Sequence, residues 1–193
     1  SSAEVYGKTD HPENIVETDT LNPLNYYGTS KLAADKLTTQ LAISHQLNAI
    51  VVRPFNHTGP LQGPGFFVPD MISQIVDIEN GKKDAHLSVG NLESTRDISD
   101  VRDIVRGYKL LLEADTSPGE VFNLCSGTGI KMKNLLEKLL KISKTSIQIT
   151  QDPEKMRPSD NPISVGNHDK ITKQFDWQPK ISLEQTLKDT FDY

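Results

Sequence analysis

Apolar residues alternate with polar ones along this chain in patterns that predict helices and strands by turns. Residues 27–45 read as a helix, with Ala33, Leu37 and Leu41 at four-residue spacing. Ala49-Ile50-Val51-Val52 is continuously apolar and bounded by Arg53-Pro54, the pattern of a buried parallel strand. A turn-rich stretch with Gly59-Pro60 and Gly63-Pro64-Gly65 follows, then a helix over 68–79 that Gly81 ends. Asp100 is placed to cap a helix whose apolar residues, Val101, Ile104, Val105, Tyr108, Leu111 and Leu112, form one stripe. Residues 121–125 read as a second buried strand, 126–129 as a turn, and 134–142 as a helix with Leu135, Leu136, Leu139 and Leu140 inward. A short strand over 147–150, a polar proline-bearing loop over 153–162 and two short helices over 168–175 and 183–191 complete the pattern. At the other end Glu4-Val5-Tyr6-Gly7 reads as a strand end entering a turn. The fold class is α/β, with helices outnumbering strands toward the carboxyl terminus.

Length and charge narrow the picture. The 193 residues suit one domain, or one domain with a small lobe, and are ample for a buried core. Lys and Arg number 21 against 26 Asp and Glu, a net charge of −5, so no global positive field attracts nucleic acid and any anion site must be local. The lone Cys125 excludes an internal disulfide and a cysteine-based zinc site, and fits a reducing, cytoplasmic compartment. The five His show no ligand spacing, so no metal is expected. No run approaches the roughly 20 apolar residues of a membrane span; the protein is expected to be soluble.

Tyr27-Gly28-Thr29-Ser30-Lys31 sets a phenol and an ammonium four residues apart, on one helix face. A tyrosine ordinarily holds its proton too tightly to exchange it at neutral pH, and a neighbouring cation favours the phenolate. Tyr27 is then a general acid or base tuned by Lys31. The same spacing also occurs on ordinary solvated helix faces, so the pair alone decides nothing. Ser2 lies 25 residues before Tyr27 in Ser1-Ser2-Ala3-Glu4-Val5-Tyr6-Gly7 and offers a hydroxyl to a substrate oxygen.

S-S-x-E-x-Y-G, followed at that distance by Y-x-x-x-K and then by Arg53-Pro54-Phe55-Asn56, resembles the extended short-chain dehydrogenase/reductases that act on nucleotide sugars. With His57-Thr58-Gly59-Pro60, Gly90 to Asp97 and Arg157-Pro158-Ser159-Asp160 added, the chain is similar to GDP-4-keto-6-deoxy-D-mannose reductases and to GDP-mannose 4,6-dehydratases. The similarity covers nearly all of the chain. It implies Ser2, Tyr27 and Lys31 as the catalytic group, with Glu4 as the base of the dehydratase version. Tyr27, Lys31, Pro54 and His57 would meet the cofactor, NADP or NAD, with His57 beside the nicotinamide. Asn56, Val68, Arg96, Arg157 and Asp160 would meet the sugar nucleotide; arginines suit its diphosphate because a guanidinium forks two donors onto phosphate oxygens.

The resemblance implies the carboxyl-terminal part of a Rossmann-type parallel sheet plus a smaller, mainly helical substrate-binding lobe. Residues 1–62 would be the remainder of the dinucleotide-binding domain and 63–193 mainly the lobe, with 86–125 partly returning to the sheet. No G-x-G-x-x-G opens a helix in this sequence, and the family carries that fingerprint near its amino terminus, so about half of the cofactor domain is expected to precede Ser1. The expected reaction is NAD(P)H-dependent reduction of GDP-4-keto-6-deoxy-D-mannose to GDP-D-rhamnose. The alternatives are 4,6-dehydration of GDP-mannose and a non-catalytic fragment that binds a GDP-sugar or serves as a dimer partner. The residues after Asn56 favour the reductase, Glu4 keeps the dehydratase open, and the family implies a homodimer.

Overall fold

The computed structural model describes residues 1–143, 145–155 and 161–193. A 3-10 turn over Ala3–Val5 and a long loop precede α1 (Tyr26–His45), β1 (Val51–Pro54), β2 (Asn56–Thr58), α2 (Phe67–Glu79), β3 (His86–Val89) and β4 (Thr95–Asp100). Then come α3 (Val101–Glu113), β5 (Val121–Leu124), β6 (Gly129–Lys131), α4 (Met132–Ile142), β7 (Gln148–Gln151), β8 (Ile163–Ser164), α5 (Asp169–Phe175) and α6 (Leu183–Asp192). The expected strand end at residues 4–7 is the 3-10 turn instead, entered from an extended Ser2.

One extended run changes partners at Phe55. β1 pairs in parallel with β5, from Val51 opposite Val121 to Pro54 opposite Leu124. The Phe55 amide still donates to Leu124 O at 2.8 Å, after which β2 pairs in parallel with β4, His57 opposite Ser99. β4 also pairs antiparallel with β6 and parallel with β8, while β3 and β7 form a separate parallel pair. The Val51 and Phe55 amides both point at β5, so by two-residue alternation the nitrogen of Pro54 faces the other edge of β1. A proline is tolerated there because no ladder donor is needed, and among the described residues no strand pairs on that edge.

Apolar burial is concentrated in three places, the smallest being Val5, Tyr6, Ile15, Phe55 and Cys125 around the 3-10 turn. The largest core joins Val68, Met71, Ile72, Ile75 and Ile78 of α2 to Leu135, Leu136 and Leu139 of α4, with Leu87, Val89 and Leu187. The second lies where α3 and α5 cover β5: Ile104, Leu111, Phe122, Leu124, Ile171 and Trp177. Asp100 caps α3 as expected, its carboxylate accepting the Arg102 amide at 2.7 Å.

Two expected stripes turn outward. On α1, Ala33, Leu37 and Leu41 are exposed, and the buried residues are Gly28, Asp35 and Ala42. On α3, Ile104 and Leu111 are buried while Val105, Tyr108 and Leu112 are exposed, Leu112 at 85%. Tyr108, Leu111 and Leu112 line an open groove of about 280 Å³ with Ser1, Ile50 and Val52 beside β1. Among the described residues, no helix is long and apolar enough to cross a membrane.

Candidate active site

Ser2 is buried and extended, and its Oγ accepts the Glu4 amide at 3.2 Å, capping the 3-10 turn. Accepting that bond uses a lone pair and leaves the Ser2 O–H to donate. The first turn of α1 lies directly against this segment. Asn25 Oδ1 accepts the Gly28 amide at 2.7 Å as the helix cap, and Asn25 Nδ2 donates to Glu4 Oε2 at 3.1 Å. One side chain therefore both starts the helix and ties it to the turn. Gly28 permits the approach, because a Cβ at that position would lie 2.7 Å from the Glu4 carbonyl oxygen.

Tyr27 is 55% exposed. Lys31, half-buried one helical turn later, holds its Nζ 5.4 Å from the centroid of the Tyr27 ring, within reach of its π face. Tyr108 stands near enough to sense the same phenol: burial raises the Tyr108 pKa, and the charge of Tyr27 raises it further. Ser2, Glu4, Tyr27 and Lys31 are thus brought together by two elements held in direct contact.

Pro54, Asn56 and His57 follow one another where the chain passes from β1 to β2. Asn56 is exposed, and His57 is half-buried with Nδ1 2.9 Å from Phe55 O. A carbonyl can only accept, so Nδ1 carries a proton and donates it to Phe55 O. Thr58 Oγ1 donates to Gln62 Oε1 at 2.7 Å and Gln62 Nε2 donates to His57 O at 3.3 Å, which closes the turn after β2.

Arg96 is half-buried in β4, with Nη1 donating to Thr95 O at 2.9 Å. Its neighbour Asp97 is fully buried and accepts from Ser126 N, Ser126 Oγ, Gly127 N and Gly166 N, fastening the turn after β5 and the loop after β8 to β4. Burial pushes the Asp97 carboxyl above its ordinary range despite those donors. Val68, expected to meet the substrate, is 3% exposed and packs into the α2–α4 core, so its side chain serves that core. Arg157 and Asp160 lie outside the described residues.

Sequence reasoning passed over a buried polar network beneath the site. Arg53 donates from Nε and Nη2 to the two oxygens of Asp35 at 2.8 and 3.0 Å, and from Nη1 to Tyr6 Oη at 3.0 Å and Glu17 O at 3.1 Å. Tyr6 Oη donates to Asn123 Oδ1 at 2.7 Å, and Ser1 Oγ donates to Asp35 Oδ2 at 2.7 Å. Burial opposes ionisation of Asp35, but the bonds from Arg53 and Ser1 outweigh it and hold the carboxyl below its ordinary range. Burial raises the Tyr6 phenol, which remains a neutral donor. The one sequence signal for this network is a charged residue at the second helical turn after Tyr27, where an inward position calls for an apolar one.

Comparison with known proteins gives the family of the chain. The family described as GDP-mannose 4,6 dehydratase matches residues 1–190. The GDP-6-deoxy-D-mannose reductase of Pseudomonas aeruginosa is 34% identical over 189 residues, 97% of this chain and 62% of that protein. The human GDP-mannose 4,6 dehydratase is 25% identical over 98% of this chain and 55% of its own length. Among solved structures, RMD from Pseudomonas aeruginosa complexed with NADPH aligns at a TM-score of 0.90 and 34% identity, over 100% of this chain and 64% of that one. The chain spans less than two thirds of the length of these relatives. It has the Rossmann-type α/β architecture expected of it.

Proposed function

The chain belongs to the GDP-mannose 4,6-dehydratase family, and on that premise we propose that it carries the catalytic group of an NAD(P)H-dependent reductase converting GDP-4-keto-6-deoxy-D-mannose to GDP-D-rhamnose. The observation that carries the reading is the docking of Tyr27 and Lys31 against the Ser2 turn through Gly28. This gives a ketone oxygen one proton donor, one hydrogen-bond donor and one cation from two fixed elements.

The residues present fit the reactive end of a nicotinamide cofactor. His57 donates from Nδ1 to Phe55 O, Pro54 closes β1, and the Ser2 proton is uncommitted at the cap of the 3-10 turn. A bound nicotinamide supplies the hydride that reduces C4. Tyr27 gives its phenolic proton to the sugar oxygen as the carbonyl becomes an alcohol. Ser2 donates a hydrogen bond to that oxygen while its charge develops, and the Lys31 ammonium offsets the charge left on Tyr27. Arg96, with Arg157, takes the diphosphate, and Asn56 and Asp160 take the remainder of the GDP-sugar. The same reading makes residues 1–62 the remainder of the dinucleotide-binding domain and 63–193 mainly the substrate lobe, with 86–125 partly returning to the sheet, and makes the protein a homodimer.

Two observations favour reduction over 4,6-dehydration. Glu4, the base that dehydration needs, has its carboxylate engaged by the Asn25 cap, and the identity to the Pseudomonas reductase exceeds that to the human dehydratase. The test is Tyr27→Phe in the protein in which this chain occurs. Ketosugar reduction should fall about 10²- to 10⁴-fold, the usual contribution of a positioned general acid, with the thermal midpoint unchanged. A variant that keeps its rate removes Tyr27 from the mechanism.

A further inference from the structure

Tyr27, Lys31 and Asp35 follow one another at four-residue spacing on α1, and burial rises along that stripe. Tyr27 is 55% exposed, Lys31 is half-buried and the Asp35 side chain is 1% exposed. Eight residues of helix place the anchor about 12 Å along the axis from Tyr27. An α-helix is stiff over that distance, so whatever fixes Asp35 fixes the phenol.

The Asp35 carboxylate takes three donors from two segments distant in sequence: Nε and Nη2 of Arg53 from β1, and Oγ of Ser1 from the segment before the 3-10 turn. The remaining Arg53 donors reach Tyr6 and Glu17, so every nitrogen of the guanidinium is engaged. Stability alone does not account for such a pair, since well-packed apolar residues of similar volume commonly stabilise a core as well or better. Its distinctive property is direction: a forked guanidinium and a carboxylate meet in one orientation. That orientation sets α1 against β1, and the Ser1 bond sets the residue next to Ser2 against α1.

We infer that Asp35 is a positioning residue of the site, fastening through Arg53 and the Ser1 hydroxyl the extended segment that carries Ser2 to the helix that carries Tyr27 and Lys31. It touches no substrate and acts only through the placement of Ser2 relative to Tyr27. The inference rests on the proposed reductase reading for its kinetic readout alone.

Asp35→Asn leaves Arg53 buried without its counter-charge and can fail to fold, so the deciding variant is Ser1→Ala, which keeps the Asp35–Arg53 pair. In the protein in which this chain occurs, Ser1→Ala should lower the thermal midpoint by only a few degrees. It should speed amide hydrogen exchange over residues 2–7 while leaving α2 and α4 unchanged, and lower kcat about tenfold because Ser2 is no longer held in register with Tyr27, with KM for the ketosugar unchanged. Ser1→Thr, which keeps the hydroxyl, should restore both. Unchanged exchange over residues 2–7 would overturn the inference, as would a loss confined to KM or failure of Ser1→Thr to restore the exchange rate. If the parent protein does not reduce the ketosugar, the function reading fails, and the exchange comparison still decides the role of Asp35.

Discussion

The lobe built on α2 and α4 and the sheet region built on β1 and β5 bury different chemistry. In the lobe the apolar stripes of both helices meet one another and Leu187 of α6, and the interior is aliphatic. Around β1 the interior holds Asp35, Arg53, Tyr6 and Asn123 in mutual hydrogen bonds, while Leu37 at 61% and Ile43 at 64% exposure remain on the outside of α1. The lobe is held by area removed from water, which tolerates small shifts. The sheet region adds directional bonds, which fix angles, to its own apolar core beneath α3 and α5, and it is the region that carries Ser2, Tyr27 and Lys31. A binding lobe can be built from burial alone; a site that must aim a proton needs orientation as well.

Truncation should expose the contrast most strongly. Leu139→Ala, fully buried in the α4 face, should cost about 2–5 kcal/mol in chemical denaturation, with the kcat of the surviving folded protein little changed. A comparable loss of kcat would mean that the lobe also sets the catalytic geometry. Gly28→Ala should cost about 1–3 kcal/mol by overpacking against the Glu4 carbonyl and, unlike Leu139→Ala, should reduce kcat because it displaces Tyr27. Equal kcat in the two variants would erase the distinction.

Acid sharpens the comparison further. The carboxyl of Asp35 is lowered in the folded protein, so its contribution to stability is complete above the ordinary aspartate pKa, about 3.9, and is lost as pH falls through the folded value. Urea midpoints measured from pH 6 downward should therefore fall less steeply for a folded Asp35→Asn variant than for the parent; parallel curves would show that the pair contributes nothing there. The smallest effect is expected at Leu37→Ala, on the exposed stripe of α1, at no more than about 0.5 kcal/mol. A loss on the scale of Leu139→Ala would show that this stripe is covered in the protein as it occurs.

The same contrast governs what was legible in the sequence. The six helices among the described residues lie where the sequence predicted them, because helix formation is mostly local, and Asp100 as a cap is the clearest case. β4 escaped because Thr95-Arg96-Asp97-Ile98-Ser99-Asp100 has one aliphatic residue in six positions; its three neighbouring strands, not its composition, make it central. The apolar spacing on α1 marked a helix but not its inward face, which Asp35 and Gly28 decide through partners far away in sequence. Within the site, the spacing of Ser2, Tyr27 and Lys31 was readable, while the pairing of Asp35 with Arg53 shows locally only as a charged residue at an inward helical position. Asn25 looked like a loop residue until its two hydrogen bonds placed it between the helix and Glu4.

The central claim is that the Ser2, Tyr27 and Lys31 group reduces a ketosugar, and reductant stoichiometry tests it most directly. The protein in which this chain occurs should be incubated with NADPH and GDP-4-keto-6-deoxy-D-mannose, and the NADPH oxidised counted against the sugar converted. The account predicts one NADPH consumed per sugar, with GDP-D-rhamnose as product and no turnover of GDP-mannose. Conversion of GDP-mannose to the ketosugar without net consumption of reductant would contradict it and assign Glu4 the role of base.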